Sequence, residues 1–212
     1  MLMEITEILE VKLVQIINTN LITKPIARRR VTNRIVVHHT AGSDHSAAEI
    51  HRMHLNRKFS GIGYHYIVRA NGAIERGRPE ELRGAHAGKA NVDSVGIGLT
   101  GNFEKRLPTT AQMDALVWLI GDIRQRLGQD ITVIRHSDVM ATLCPGRLFP
   151  WAQLQARIST KEREYTVREG DTLWSIASAQ MGNGTRWVEI QKLNDMAGTA
   201  VRVGQILRLP GD

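Results

Sequence analysis

The stretch Arg34 to Thr40, RIVVHHT, predicts the centre of the fold. Three consecutive β-branched residues without polar alternation are typical of a strand that is buried on both faces. Buried strands of this kind occur in α/β proteins, where helices cover the sheet. The strand closes on His38 and His39, and α/β folds tend to place ligands at the carboxyl ends of their strands.

Helices and further strands alternate after this strand. Cap residues at Ser43 to Ser46 precede a predicted helix with Ile50, Met53 and Leu55 among its apolar positions. The other predicted elements are a hairpin around the two-residue turn Asn71-Gly72, a glycine-containing strand over 94–101 that lets another group approach closely, a helix capped by Thr110 and ended by Gly128, and a strand, DITVIRH, that ends on His136. This order predicts an α/β fold with a mixed β-sheet flanked by helices.

The C-terminal part of the chain has a different pattern. We interpret the charged stretch STKERE, residues 159–164, as a linker. Residues 165–210 then predict a strand, two helices and a strand, a small βααβ module. The domain before the linker spans 32–158, and residues 1–31 form an N-terminal segment of unassigned role, in which EILEVKLVQIIN fits either an edge strand or a helix.

Composition excludes several classes of protein. A single cysteine among 212 residues rules out an internal disulfide, and the acidic start of the chain does not resemble a secretory signal. The net charge is +7, and because residues 164–212 hold five basic and six acidic residues, the preceding part holds about +8. A basic surface attracts polyanions such as nucleic acid or an acidic wall polymer. The run Arg28 to Arg30 fits a solvated loop equally well.

Three residues form a candidate metal site. His38 and His136 each lie at the end of a predicted strand, and Cys144 follows His136 by eight residues in a loop that Pro145-Gly146 turns. Two imidazoles and a thiolate suit zinc, with a fourth position left for water. The same residues also fit a cysteine nucleophile with His136 as its base, so the residues alone leave both interpretations open.

The motifs IVVHHTAG, GYHYIV, GAHAG, SVGIGLTGNF and RHSDVMATLCPG, in this order, resemble the zinc-dependent N-acetylmuramoyl-L-alanine amidases of the phage-lysozyme and peptidoglycan-recognition-protein family. The resemblance covers about residues 32–155 and implies the amidase/peptidoglycan-recognition fold. It also implies that His38, His136 and Cys144 bind Zn²⁺, which makes the thiol a ligand and not a nucleophile.

The resemblance further implies roles around the metal. Tyr64 is the expected donor or proton-handling group that faces it, and Thr142, two residues before the cysteine, is expected to be catalytic. Phage members often have lysine at this position, whereas the recognition-protein branch often has threonine, and a hydroxyl gives a weaker, neutral hydrogen bond. We expect His86 to line the groove for the peptide stem, Asn102 to contact substrate, and His39 to be a packed neighbour.

Residues 165–210 resemble a LysM domain over its whole length, on the motifs YTVREGDTLWSIA and VGQILRLP. This family binds chains that contain N-acetylglucosamine. The resemblance implies a sugar groove beside the first turn, and the expected glycan-binding residues are Gly170, Asp171, Thr172 and Leu173. The alternative is that these four are turn and cap residues. Trp174 and Trp187 are expected in the core, since so small a module needs large apolar side chains to fold.

We therefore expect a peptidoglycan hydrolase that cleaves the amide between N-acetylmuramic acid and L-alanine, and a phage endolysin in particular. Its expected partner is bacterial peptidoglycan, with no nucleic acid and no stable membrane insertion, and we expect a monomer. Without a recognisable signal peptide it is expected to be made in the cytoplasm and to act on the cell wall during host lysis. A bacterial wall-remodelling amidase and a non-catalytic or weakly catalytic peptidoglycan-binding protein are the alternatives.

Overall fold

The structure, a computed structural model, describes residues 15–21, 24–128, 131–158 and 163–210. The chain divides into two compact units, one inside Val14–Leu154 and one inside Gln155–Asp212. The boundary between the units therefore falls within the helix that was predicted to end the first domain.

A six-stranded mixed sheet organises the first unit. Its strands are β1 (Ile16–Ile17), β2 (Arg34–His39), β3 (Tyr66–Val68), β4 (Ile74–Arg76), β5 (Ser94–Leu99) and β6 (Thr132–Arg135). They lie in the order β1-β4-β3-β5-β2-β6. β2 pairs in parallel with both β5 and β6, whereas β3 and β4 pair antiparallel. The predicted α/β class with a mixed sheet is confirmed.

β2 has the buried position that its sequence predicts. Ile35, Val36 and Val37 are each 0% exposed, and the strand has a hydrogen-bonded neighbour on both sides. Burying side chains on both faces makes this run the core of the sheet. In the register with β5, His38 lies opposite Gly98.

The first unit contains the helices α1 (Ala47–Asn56) and α2 (Thr110–Leu127), and α3 (Trp151–Ile158) crosses the boundary between the two units. α1 begins at a capping box in which Ser46 and Glu49 each bond the other's backbone N–H. Its buried residues are Ala47, Ile50, His51 and His54.

The prediction for the apolar face of α1 was partly wrong. Met53 is 42% exposed and Leu55 is 37% exposed. The buried positions are spaced three or four residues apart from Ala47 onward, as on one face of a helix. His51 and His54 lie on this face, whereas Met53 and Leu55 do not. Each histidine satisfies a backbone group: Nδ1 of His51 accepts from the Ile62 N–H and Nδ1 of His54 from the Gly63 N–H.

The cap of α2 lies one residue before the predicted one. Thr109, not Thr110, is the N-cap, and its hydroxyl accepts from the Gln112 N–H. The Gln112 side chain returns a bond to the Thr109 N–H and donates to the carbonyls of Thr100 (2.8 Å) and Val68 (3.3 Å). Gln112 is fully buried and ties the start of the helix to the ends of two strands. Gly128 ends the helix as predicted.

The hairpin between β3 and β4 has a longer turn than predicted. The Arg69 N–H bonds the Ala73 carbonyl and the Gly72 N–H bonds the Arg69 carbonyl, so three residues lie between the paired positions. Gly72 has φ +84°, and this arrangement is a three-residue loop with the glycine in the bulge position. The Asn71 side chain closes the loop by accepting from the Ala73 N–H.

The described part of the N-terminal segment belongs to the first unit. β1 pairs with β4 as an edge strand, and Arg28 forms a bridge with Leu82. Arg29 turns inward, where its guanidinium lies 3.4 Å from the carbonyls of both Leu82 and Ser94. The arginine run is therefore not simply a solvated loop. Residues 1–14, which include most of EILEVKLVQIIN, lie outside the described residues.

The second unit has the predicted βααβ order. Its elements are β7 (Arg163–Thr166), α4 (Leu173–Met181), α5 (Trp187–Leu193) and β8 (Ile206–Leu209), with β7 and β8 antiparallel. β7 begins inside the stretch interpreted as a linker, so Arg163 and Glu164 are strand residues, while residues 159–162 lie outside the described part. The core consists of Val167, Leu173, Ile176, Ala177, Ile190, Leu207 and Leu209.

Among the helices that the structure describes, none is both long enough and apolar enough to cross a membrane.

The buried Gln112 gives a test of how the first unit is held together. We expect Gln112→Leu to lower the free energy of unfolding by about 1–3 kcal/mol, because it keeps the volume and removes the buried hydrogen bonds from the Gln112 side chain to the Thr100 and Val68 carbonyls. Urea unfolding followed by circular dichroism measures the loss. Gln125→Leu, at an exposed position of the same helix, is the control and should change stability by less than about 0.5 kcal/mol. Equal stability of the two variants would contradict the role given to Gln112.

Candidate functional site

The three candidate ligands meet at one edge of the sheet. β2 and β6 are parallel neighbours, so their carboxyl ends place His38 and His136 side by side, with ring centroids 4.3 Å apart. The loop after β6 returns to this edge and brings Cys144 Sγ to 3.8 Å from Nδ1 of His38. Potential ligand atoms of all three residues lie within 4.8 Å of one another.

Backbone hydrogen bonds close the loop that carries Cys144. The Ser137 N–H donates to the Cys144 carbonyl at 2.9 Å, and the hydroxyl oxygen of Thr142 accepts from the Cys144 N–H at 3.2 Å. The sulfur itself accepts from the backbone N–H of His39 at 3.3 Å. The thiol is thus oriented by the end of β2, the same strand that supplies His38.

Burial sets the protonation of the site. It raises the pKa of the Cys144 thiol to about 11, although the His39 N–H favours the thiolate. It also lowers the pKa of His38 well below the usual value, and the neighbouring His136 and His39 add to that shift. A nucleophilic cysteine needs a lowered thiol pKa, so these surroundings disfavour the nucleophile interpretation.

The donor set fits zinc. Zinc binds neutral imidazole and thiolate, and three protein ligands leave one position open. His38 is held neutral, and a thiol with a high pKa becomes an anion when a metal displaces its proton. His38 and Cys144 are buried.

Tyr64 lies beside the candidate ligands, just before β3. Its ring centroid is 5.1 Å from that of His38, and its hydroxyl forms no hydrogen bond with the residues that the structure describes. Burial and the Cys144 thiolate both raise the pKa of its hydroxyl, so Tyr64 keeps its proton at neutral pH. A β-carbon on Gly98 would lie 3.2 Å from the tyrosine ring, and glycine there leaves the ring its place.

His86 has different surroundings from those predicted. Its Nδ1 lies 3.0 Å from Nε2 of His38, and its Nε2 is buried without a hydrogen-bond partner among the described residues. Both ring nitrogens are thus turned away from a groove, while the residue itself is partly exposed, and the predicted groove role stays a prediction. Gly84 and Gly96 have no side chains, and this lets the ring pack inward against His38.

The other predicted residues have local roles in the structure. The side-chain oxygen of Asn102 accepts from the Glu104 N–H in its own turn, so no contact in the structure singles it out for substrate. His39 is buried, and its Nδ1 accepts from the Phe103 N–H, as expected of a packed neighbour. Sequence reasoning missed Met140, whose sulfur lies 3.2 Å from Nε2 of His136 in the turn after β6.

Comparison with known proteins identifies the family. Residues 28–147 match the family described as N-acetylmuramoyl-L-alanine amidase. The chain belongs to this amidase family. Residues 165–210 match the LysM domain, which confirms the resemblance of the C-terminal module.

The amidase resembles both curated proteins and solved structures. It is 38% identical to peptidoglycan-recognition protein SD of Drosophila simulans over 124 residues, which are 53% of this chain and 67% of that protein. It is 32% identical over 126 residues to the endolysin of Klebsiella phage KP32, covering 56% and 83% of the two chains. Its fold matches that of N-acetylmuramoyl-L-alanine amidase LysC from Clostridium intestinale URNW with TM-score 0.65 and 36% identity, over 69% of this chain and 99% of that one.

The LysM domain has an open groove of about 490 Å³ beside its first turn. Residues 171–174 and 199–201 line it, together with Trp187. Gly170, with φ +82°, makes the turn, and the Asp171 carboxylate accepts from the Arg168 N–H and the Tyr165 hydroxyl. Thr172 caps α4. The polar side chains predicted to bind glycan therefore also build the turn.

Two apolar residues of this groove differ from expectation. The Leu173 side chain is 2% exposed and belongs to the core, so little of it can reach a glycan. Trp174, predicted in the core, is 58% exposed and lines the groove, with its indole against the buried Gly184. Trp187 packs against the core as predicted.

The raised pKa of the thiol predicts slow alkylation of the metal-free amidase. With a pKa raised to about 11, its thiolate fraction at pH 8 is about 100-fold lower than that of an ordinary cysteine, and burial slows reagents further. Because the chain has one cysteine, iodoacetamide uptake in chelator reports this residue alone. The same protein in urea is the control and should react at the ordinary rate. Equal rates in the folded and unfolded protein would restore the nucleophile interpretation.

Proposed function

We propose that this amidase is a zinc-dependent peptidoglycan hydrolase that cleaves the amide between the lactyl group of N-acetylmuramic acid and L-alanine. The observation that carries the proposal is the cluster of His38, His136 and Cys144, whose potential ligand atoms lie within 4.8 Å at the carboxyl edge of the sheet. When bound there, zinc polarises the carbonyl and activates water for attack.

The side chains around the cluster supply the remaining chemistry. Amide hydrolysis places negative charge on the carbonyl oxygen, and a preorganised donor lowers the barrier. The Tyr64 hydroxyl has kept its proton and has no partner among the described residues, so it is suited to donate to that oxygen. Thr142 uses a lone pair for the Cys144 N–H and keeps its own proton for a second donation.

The LysM domain is proposed to bind the glycan chain of the same polymer. Its groove exposes Trp174, an aromatic side chain with a broad apolar face. Tethering an enzyme to an insoluble polymer raises its effective concentration at the bond. The basic charge of the preceding residues, about +8, favours contact with an anionic wall.

We further propose that the amidase acts on the bacterial cell wall as an endolysin. Its similarity to the endolysin of Klebsiella phage KP32 supports this, since the match covers 83% of that protein. A bacterial wall-remodelling amidase would use the same chemistry.

Digestion of purified peptidoglycan tests the reaction. We expect new free amino groups without new reducing sugar ends, loss of this signal in chelator and its return with zinc. Cys144→Ser should abolish the signal. Polymer that is bound by the intact protein but yields no new ends would make the chain a binding protein and overturn the proposal.

The role of Tyr64 has its own test in the same assay. We expect Tyr64→Phe to keep the ring packing and to lower kcat by on the order of 100-fold, because one donor to the oxyanion is lost. The zinc content, measured by atomic absorption, should stay at the wild-type level. An unchanged kcat would remove Tyr64 from the reaction.

The groove proposal predicts a separate effect on binding. Trp174→Ala in the full chain should weaken co-sedimentation with peptidoglycan about tenfold, the loss expected for a central aromatic contact. Val203→Ala, at a position that is 70% exposed in the same domain and outside the groove, is the matched control. If both variants bind like the wild type, the groove does not hold the glycan.

A further inference from the structure

The two nitrogens of His38 face different partners. Nδ1 faces Cys144 Sγ at 3.8 Å, toward the proposed zinc position, whereas Nε2 lies 3.0 Å from Nδ1 of His86. The rings of the two histidines meet edge to face, with centroids 5.0 Å apart and an interplanar angle of 88°. His86 therefore contacts His38 on the side away from the thiol.

The backbone around His86 is built to hold its ring in this place. The side-chain oxygen of Asn91 accepts from the N–H groups of both His86 and Ala87, each at 2.9 Å. A methyl group on either Gly84 or Gly96 would overlap the His86 ring. The two glycines leave space for the ring, and Asn91, which accepts two backbone hydrogen bonds, fixes the backbone that carries it. A histidine that only filled space in the core would not need both features.

The hydrogen-bond direction follows from ligand chemistry. A neutral imidazole that binds a metal through Nδ1 carries its proton on Nε2. Nε2 of His38 must then donate, so Nδ1 of His86 accepts and the His86 proton lies on Nε2. That Nε2 is buried and has no partner among the described residues. Buried polar atoms without partners are rare in folded proteins, and this one is explained if the acceptor at Nδ1 is what the site needs.

We propose that His86 is a positioning residue that fixes the tautomer and the orientation of His38 for metal binding. The proposal rests on the zinc site of the proposed function. It differs from the groove role expected for His86, and it assigns to an imidazole the task that a carboxylate or carbonyl acceptor performs behind many metal-bound histidines.

Zinc affinity, measured by competition with a chromophoric chelator, tests the proposal without using activity. We expect His86→Leu to weaken zinc binding about 10- to 100-fold, the usual effect of removing such a partner. His86→Asn keeps an acceptor atom at the position of Nδ1 and should restore the affinity to within about threefold of the wild type. Rescue by asparagine is a result that a role in packing alone would not give.

A buried histidine elsewhere in the fold supplies the control. His51 accepts a backbone hydrogen bond from Ile62 through Nδ1, and it contacts none of the three ligands in the structure. His51→Leu should lower thermal stability and leave zinc affinity unchanged. If the His86→Leu protein does not fold, His86→Ala is compared with His86→Asn in its place.

The outcomes separate the two proposals. Wild-type protein that binds no zinc overturns the zinc site and the role of His86 together. Wild-type protein that binds zinc tightly, with equal affinity in His86→Leu, overturns the role of His86 and leaves the zinc site intact. Loss of affinity in both His86→Leu and His86→Asn also overturns it, since the acceptor would then not be what matters.

Discussion

The parallel pairing of β2 with β5 and β6 is the constraint on which the rest of the structure depends. Parallel strands end at the same edge, so the ends of three neighbouring strands place His38, Gly98 and His136 together. The loop after β6 needs only to return to that edge to add Cys144. Ligands from sites distant in sequence are thus assembled by the hydrophobic burial of β2, whose central residues are fully buried.

The glycines of β5 contribute to the site because they have no side chains. A strand of six buried residues is expected to fill both its faces with side chains, yet Gly96 and Gly98 leave room for the rings of His86 and Tyr64. The functional side chains of the site therefore lie directly against the sheet. Burial there raises the pKa of the Tyr64 hydroxyl and of the Cys144 thiol, which favours the neutral form of both groups. Weakening of the strand by two glycines is the structural cost of this arrangement.

Much of this organisation could be predicted, and the failures have physical reasons. The buried strand, the domain order and the juxtaposition of the ligands follow from β-branched runs and strand ends. Sequence could not show that α1 buries His51 and His54 and leaves Met53 exposed, because the hydrogen bonds that these histidines accept depend on how the loop after α1 folds back onto the helix. The contact of His86 with His38 and the exposure of Trp174 could not be predicted for a related reason: the packing of a ring against a glycine is fixed only in three dimensions.

The inward turn of Arg29 bears on how such amidase domains are exchanged between proteins. Its guanidinium reaches the Leu82 and Ser94 carbonyls, and the Lys24 N–H bonds the Ser60 carbonyl. A module transplanted from residue 32 onward would lose the Arg29 hydrogen bonds to the Leu82 and Ser94 carbonyls and the Lys24 hydrogen bond to the Ser60 carbonyl. A domain boundary that preserves folding is therefore expected upstream of residue 24. The segment that must be transferred as a whole is longer than the stretch that carries the recognisable motifs.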